Sequence, residues 1–292
     1  GESMPESSLP SEERFFSFED SEKLKNSFLV ACEVLKDYRF VILPTVEKYQ
    51  PELYTDQYRP FVIGTCQDGS LLNLRTDWTV SLARFLSSIR YLELPVKVFY
   101  WGNVFLPMGD MEKFQMGIEH LGFSHVKSDA QVIEKLCEYL KKCSVNNFVV
   151  NLGHMGIVNR ILEKYREQEK IVKALFEKNF SELGKYPELI DLLYMQGSGE
   201  VIEEFVKRHP EFSKECEELL KVSEYLKDIP LIFDLSELRL QNYYTGIVFE
   251  IFHPNLGYPI AGGGRYDRLY SMFGKDIPAV GGAVYLDRLL EL

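Results

Sequence analysis

The feature that most constrains the fold is the order in which strand-like and helix-like segments follow one another. Strand patterns dominate up to about residue 125 and again after Pro230, whereas the apolar spacing from Ile157 to Lys227 is almost wholly helical. Strands and helices therefore do not alternate as they do in a parallel doubly wound sheet. The order predicts an α/β fold of the α+β type, in which helices flank a mostly antiparallel sheet.

The same patterns predict how the chain is divided. Residues 1–16 are rich in Ser, Glu and Pro, which is typical of a flexible terminus. We predict that residues 17–152 form the first part of a core, that residues 153–229 form a mainly helical insertion, and that residues 230–292 complete the core. The breaks within the insertion are expected at glycines and at Pro210.

Charge and cysteine usage limit the classes of function. The net charge of −11, without a block rich in Lys or Arg, weighs against a large RNA footprint. Five scattered cysteines lack metal-ligand spacing, which favours reduced thiols in a cytoplasmic protein and no metal site. No apolar run reaches the ~20 residues of a membrane span, and no signal peptide is visible. We expect no cofactor, since neither a phosphate loop nor a dinucleotide fingerprint occurs.

Five segments carry the residues with chemical interest. Two lie upstream, Leu74–Thr79 (LRTDWT) and Lys113–Glu119 (KFQMGIE), and three lie downstream, Leu238–Glu250 (LRLQNYYTGIVFE), Ala261–Asp267 (AGGGRYD) and Pro278–Leu289. In their order and spacing these segments resemble the catalytic core of the histidyl-tRNA synthetases over about residues 20–125 and 230–292. The resemblance implies a class II synthetase-like core, and Phe40–Pro44 is similar to the strand and proline of the class II dimer interface.

The residue types in these segments match the groups of a free histidine molecule. Its carboxylate needs a cation, which Arg239 supplies with two-pronged geometry. Its ammonium needs acceptors, and its imidazole needs a partner at each ring nitrogen. We predict Asp77, Thr79 and Gln115 for the ammonium, Glu119 with Tyr243 or Tyr244 for the imidazole, and Gly262 and Gly263 where the backbone approaches the ligand. Residue types alone leave open that both tyrosines fill core and that the glycines form a bulge.

The sequence departs from the synthetase pattern where ATP is held. The family places an arginine after Phe105, but this chain has Leu106, and the short loop 107–112 carries no basic residue. Charge that develops on a transferring group needs fixed cations, which a leucine does not provide. Family residues are also replaced by Asp77, Trp78, Leu240 and Asn242. Arg288 matches the last ATP-contacting arginine, so a nucleotide contact stays open, and we expect no anticodon-binding domain.

This combination resembles the regulatory subunits of ATP phosphoribosyltransferase, and Phe233–Leu238 (FDLSEL) also looks like that group. The resemblance implies a non-catalytic chain that forms a homodimer within a hetero-oligomer with the short-form catalytic subunit. It also implies histidine as the effector, no tRNA, and feedback inhibition of the first step of histidine biosynthesis. Two rivals remain: an active histidyl-tRNA synthetase fragment, and a synthetase-like paralogue of another kind, such as an amidating ligase or an RNA-bound translation regulator.

Overall fold

The computed structural model describes residues 15–55, 59–107, 109–239 and 241–292. Its helices are α1 (Phe18–Val34), α2 (Trp78–Ser87), α3 (Val126–Lys142), α4 (Met155–Leu162), α5 (Gln168–Phe176), α6 (Phe180–Leu183), α7 (Pro187–Tyr194), α8 (Gly199–Arg208), α9 (Ser213–Tyr225) and α10 (Leu286–Leu289). Most of the predicted flexible terminus, 1–16, lies outside the described residues, as do Leu240 and Met108 of the expected loop 107–112.

The strands form one large sheet and one small sheet. They are β1 (Arg39–Phe40), β2 (Val46–Lys48), β3 (Val62–Thr65), β4 (Leu71–Leu74), β5 (Val96–Phe105), β6 (Glu112–Leu121), β7 (Val149–His154), β8 (Gln196–Gly197), β9 (Leu231–Asp234), β10 (Ile247–Phe252), β11 (Ala261–Arg265) and β12 (Ala279–Tyr285). The large sheet has nine strands in the order β1-β5-β6-β12-β11-β10-β7-β9-β8. Within the described residues, β1–β5 and β7–β9 are the only parallel pairs, so the predicted mostly antiparallel sheet is confirmed.

The two faces of the large sheet have different compositions, because side chains alternate along each strand. One face carries large apolar residues such as Met116, Ile118 and Phe249, which join a core with α1, α3 and the helices of the insertion. The opposite face carries several glycines, and part of it is covered by α2 and the 3-10 helix Leu269–Phe273. The cover leaves room for polar groups above β12, β11 and β10.

The predicted insertion, residues 153–229, begins inside β7 and ends before β9. Its buried residues, among them Leu189, Phe205 and Leu219, belong to the same hydrophobic cluster as the sheet and α3. It also contributes the short strand β8, which pairs with β9 at the edge of the sheet. The sequence pattern did not reveal β8, because two residues are too few to show an alternation. The division into core and insertion stays a prediction.

Two local predictions differ from the structure. The strand expected at Phe40–Leu43 is confined to Arg39–Phe40, where it pairs with β5. The glycines Gly262–Gly264, for which a bulge was the open alternative, lie in the regular strand β11 with continuous pairing to both neighbours. A strand of glycines has no side-chain signal, so its place in the sheet depends on the strands beside it. Among the described residues, no helix is both long and apolar enough to cross a membrane.

Candidate functional site

The floor of the candidate site is the glycine-rich face of the large sheet. Register places Glu119 of β6 beside Gly281 of β12, which in turn pairs with Gly264 of β11. The next row joins Gly117, Ala283 and Gly262 in the same way. Because the glycines and the alanine in these two rows have small or no side chains, groups from other elements can approach the strands from above.

Dimensions of the sheet set the distance between the two ends of the site. Glu119 and Gly262 lie two strands apart and one row apart. With strands about 4.8 Å apart and about 3.4 Å between residues, their Cα atoms are separated by about 12 Å. An acidic side chain at one end and a cationic side chain over the other therefore face a gap of small-molecule size.

Glu119 forms the acidic end and is completely buried. Its Oε1 accepts hydrogen bonds from the hydroxyls of Thr79, at 2.7 Å, and Tyr100, at 3.2 Å. Its Oε2 accepts one from the hydroxyl of Tyr266. Burial raises the pKa of Glu119 to about 7, although the bonds from Tyr266 and Thr79 lower it and the charge of Asp77 raises it further. Three hydroxyl donors thus hold a carboxyl that titrates near neutral pH.

Asp77 stands at the start of α2. It is the N-cap, and its Oδ1 accepts from the backbone N–H of Thr79 at 2.7 Å and of Val80 at 3.3 Å. Such a cap stabilises a helix by about 1 kcal/mol. Its other oxygen accepts a 2.6 Å hydrogen bond from the hydroxyl of Tyr243. This bond ties the segment after Arg239 to the N-terminus of α2 and closes the site from above.

Arg239 forms the cationic end, above Gly262. Its Nη2 donates to the carbonyl of Phe249 and, at 3.1 Å, to that of Gly263. Its Nη1 lies 3.3 Å from Oε2 of Glu250. A Cβ atom on Gly262 would lie 3.1 Å from Nη2, so glycine is what leaves room for the guanidinium. Burial opposes its charge, but nearby carboxylates raise the pKa of Arg239, which stays cationic.

The remaining predicted residues differ in how close they lie to the two ends of the site. Tyr244 lies between the two ends, with its ring 5.9 Å from the guanidinium carbon of Arg239. Gln115 is on the glycine-rich face, opposite Gly102 and Tyr285 in the register. Gly263 points its Cα hydrogens to the other face and contributes its carbonyl oxygen instead. Tyr243 and Tyr244 are partly buried and pack against the hydrophobic cluster around α2. This packing agrees with the alternative that the two tyrosines fill core.

Sequence reasoning missed two hydroxyls, those of Tyr100 and Tyr266. Tyr266 stands in the quoted segment Ala261–Asp267, but its role depends on where the chain turns after β11. Tyr100 pairs with Gly117 across β5 and β6, and its ring occupies the space that a Cβ atom on Gly117 would need. Tyr100 and Gly102 are two residues apart on β5 and therefore lie on the same face, and this spacing was the available signal.

Two of the described residues, Leu106 and Arg288, stand where the sequence pattern of the synthetases concerns ATP. Leu106 follows β5, and its backbone N–H donates to the carbonyl of Met111, just before β6, at 3.0 Å. Arg288 is held between the rings of Tyr285, at 4.7 Å, and Tyr258, at 4.9 Å. Its Nη1 donates to the carbonyl of Pro259 at 2.5 Å. Arg288, which matches the last ATP-contacting arginine of the synthetase pattern, therefore has partners within the chain.

The pH dependence of stability should report on Glu119. Burial raises the pKa of Glu119 from its ordinary 4.5 to about 7 in the folded chain. The stability contributed by the protonated carboxyl is therefore fully present below pH 4.5 and is lost as pH rises through 7. The free energy of unfolding of Glu119→Gln, measured relative to that of the wild type, should therefore increase by about 2 to 3 kcal/mol between pH 5 and pH 8. Unfolding in urea at both pH values measures this.

The wild type must be compared with Glu119→Gln because another buried group changes stability with pH in the opposite direction. Burial lowers the pKa of His120 to about 3, so this residue makes the fold more stable as pH rises towards 6.5. The difference between the two proteins cancels that contribution. A difference that stays constant from pH 5 to 8 would contradict the raised pKa of Glu119.

Comparison with known proteins places this geometry in a family. A model of the histidyl-tRNA synthetase family matches residues 17–289. The ATP phosphoribosyltransferase regulatory subunit of Aquifex aeolicus is 34% identical, over 98% of this chain and 76% of its own length. That of Carboxydothermus hydrogenoformans is 36% identical, over 92% of this chain and 90% of its own.

Solved structures agree with the sequence relatives. An ATP phosphoribosyltransferase regulatory subunit/histidyl-tRNA synthetase from Bacillus halodurans superposes with a TM-score of 0.85 at 28% identity, covering 99% of this chain and 84% of its own. A chain from the ATP phosphoribosyl transferase complex of Thermotoga maritima, at 20% identity and a TM-score of 0.68, shares the fold over 93% of this chain and 97% of its own. The predicted class II synthetase-like fold and family are confirmed: the chain belongs to the ATP phosphoribosyltransferase regulatory subunits, within the histidyl-tRNA synthetase family.

Proposed function

We propose that the chain binds free histidine on the glycine-rich face and thereby regulates a short-form ATP phosphoribosyltransferase catalytic subunit. The observation that carries this proposal is the pairing of a hydroxyl-bonded carboxyl, Glu119, with a buried cation, Arg239, across a floor of glycines. A zwitterionic amino acid with a polar ring needs this combination of groups. The names of the relatives supply the enzyme to which the subunit belongs.

Each group of histidine has a partner in the proposed complex. The carboxylate replaces Glu250 at the guanidinium of Arg239. The imidazole reaches Glu119 and the hydroxyl of Tyr244, while the ammonium meets Asp77, with Thr79 and Gln115 as the other predicted acceptors. One ring nitrogen donates to the carboxyl of Glu119 and the other accepts from a tyrosine hydroxyl.

Binding requires movement of the side chains that fill the site. The cavity beside Asp77 and Tyr243 measures only about 10 Å³, which is about the least that holds one water molecule. We propose that Tyr243 leaves Asp77 as the ligand enters, so that the segment from Arg239 to Tyr244 shifts. Because this segment continues into β10, histidine binding alters a strand in the middle of the large sheet.

Regulation of this kind needs histidine to bind two states of the assembly unequally. A difference of about 1 to 3 kcal/mol would change catalytic activity about 5- to 150-fold. We propose that the chain performs no bond chemistry, acts as a homodimer within a cytoplasmic hetero-oligomer, and uses no tRNA. Leu106 and residues 107–112 support this, since they include no Lys or Arg that could hold an α-phosphate.

The experiment that tests the function combines binding with activity. The purified chain is titrated with histidine by calorimetry, and phosphoribosyl transfer is assayed with and without a short-form catalytic subunit as histidine increases. We expect saturable binding and inhibition that depends on this chain. Formation of an adenylate from histidine and ATP, or failure to bind histidine both alone and in the complex, would refute the proposal.

Glu119→Gln should weaken histidine binding about tenfold, because a hydrogen bond to a charged group contributes roughly 1.5 to 3 kcal/mol. The loss should be specific for the imidazole end of the ligand. Calorimetry with histidine and with an amino acid that lacks the ring separates the two ends. An equal loss of affinity for both ligands would show that Glu119 does not face the ring.

A further inference from the structure

A second depression lies on the same face of the sheet, on the far side of Arg239 from Glu119. It is a half-open cavity of about 250 Å³ between the sheet and the end of α5. Three acidic residues line it: Asp234 at the end of β9, Glu237 in the following segment, and Glu250 on β10. The proposed histidine site does not use Asp234 or Glu237.

Glu237 is the most unusual member of this group. The residue is only 7% exposed, yet within the described part of the chain neither of its carboxyl oxygens has a hydrogen-bond partner. It lies above Gly153, where an added Cβ atom would come within 3.3 Å of its Oε2. A buried carboxyl without donors costs several kcal/mol unless a cation or a proton compensates it.

The charges around Glu237 do not balance. Its Oε1 is 3.9 Å from Nη2 of Arg239, which is beyond hydrogen-bonding distance, and that guanidinium also serves Glu250. Burial raises the pKa of Glu237 well above its ordinary value, against the lowering effect of Arg239, and the neighbouring Glu250 raises it further. Lys178 also lines the cavity, but it is an exposed residue on the rim. One buried cation thus faces three carboxyls.

The rest of the lining indicates the kind of ligand. Phe176 of α5 and Phe252 of β10 form an apolar and aromatic wall beside the acids. Aromatic faces attract organic cations as well as apolar stems. The described residues include no group of three His, Cys, Asp or Glu that could hold a metal ion. An organic cation with N–H donors fits this lining, since it could take the place of the proton that the raised pKa of Glu237 favours.

We propose that the cavity formed by Asp234, Glu237 and Glu250 is a second binding site, which accepts a guanidinium or ammonium group on a short apolar stem. The cation donates to the unpartnered oxygens of Glu237, and its stem packs on Phe176 and Phe252. This chemistry has two sources: a free small molecule, or a lysine or arginine side chain of the catalytic subunit. Neither source depends on histidine occupying the neighbouring site.

The test is a calorimetric titration of the whole chain with methylguanidinium and n-butylammonium. We expect saturable binding that weakens at least tenfold in Glu237→Gln, since a charge-assisted hydrogen bond is lost. Tetramethylammonium, which has the same charge but no N–H donor, should bind at least tenfold more weakly than methylguanidinium. The matched control is Glu177→Gln, which removes the same charge from an exposed position that does not line the cavity.

Folding should not obscure the result, because Glu237→Gln removes a buried carboxyl whose oxygens receive no hydrogen bond within the described part of the chain. Arg239 keeps Glu250 as its partner, so the variant should melt no lower than the wild type. Methylguanidinium should raise the melting temperature of the wild type but not that of this variant. If the wild type shows no saturable binding, or if Glu237→Gln and Glu177→Gln lose affinity equally, the site does not exist.

The same titration of the assembled complex distinguishes the two sources. If a side chain of the catalytic subunit fills the cavity, the complex should not bind methylguanidinium, and Glu237→Gln should weaken assembly at least tenfold. If the ligand is a free molecule, the complex should bind methylguanidinium as tightly as the isolated chain does. Binding by the complex that is insensitive to Glu237→Gln would overturn the proposal.

Discussion

Arg239→Ala should lower the affinity for histidine about 100-fold and abolish histidine inhibition of the complex. Arg239 is the buried cation above the glycine-rich floor, and it donates to carbonyls on β10 and β11 that fix its position. A paired charge-assisted contact to a carboxylate is worth a few kcal/mol, and each 1.4 kcal/mol is a factor of ten. Calorimetry with histidine and an inhibition assay of the complex measure the two effects.

The controls for this variant follow from its surroundings. Loss of the guanidinium leaves Glu237 and Glu250 without their cation, which destabilises a buried pair by about 3 to 5 kcal/mol. The double variant Arg239→Ala/Glu237→Gln removes one of those charges and should recover part of this stability without recovering histidine affinity. Arg160→Ala, which breaks a different ion pair with the buried Glu215, should leave binding unchanged. Unchanged affinity in folded Arg239→Ala would disprove the assignment.

Gly263→Ala should destabilise the chain by more than about 3 kcal/mol, because overpacking at this position meets backbone rather than a movable side chain. An added Cβ atom would overlap the carbonyl oxygen of Gly281 and lie 2.5 Å from the Cα atom of Gly282. Both belong to β12, which pairs with β11 at the centre of the sheet. The free energy of unfolding in urea measures the loss.

Gly257→Ala is the matched control for this substitution. Its added Cβ atom would have no heavy atom within 4 Å, and the residue is in the loop between β10 and β11. We expect its stability to stay within about 0.5 kcal/mol of the wild type, as for most surface substitutions. If Gly263→Ala were equally mild, β11 would not be packed against β12 as the structure shows.

Arg239 lies between the two proposed binding sites and should couple them. The guanidinium separates Glu119 and its hydroxyl donors on one side from Glu237 and the acidic cavity on the other. A ligand carboxylate that draws Arg239 away from Glu250 would leave the acidic cavity with less compensating charge. Histidine and an organic cation should therefore favour each other, and the coupling is reciprocal by thermodynamic necessity.

Much of the fold was predictable because the signals were local. The position of Asp77 before α2, the apolar spacing of α2 and α3, and the apolar runs of β5 and β10 all depend on residues near each other in the chain. The motif order similarly predicted the family, which the comparisons confirm. The strands β8 and β11 were not predictable locally, since one has two residues and the other is mainly glycine.

By itself, the sequence determined which chemical groups are available: a cation at Arg239, carboxyls at Asp77 and Glu119, and glycines that let other groups approach the strands. Only the tertiary structure decided which groups meet. The register of β6, β12 and β11 puts Gly262 on the site face and Gly263 on the other, and brings Tyr100 and Tyr266 to Glu119. The reason is physical: strand pairing joins residues more than a hundred positions apart, and a shift by one residue would reverse every face.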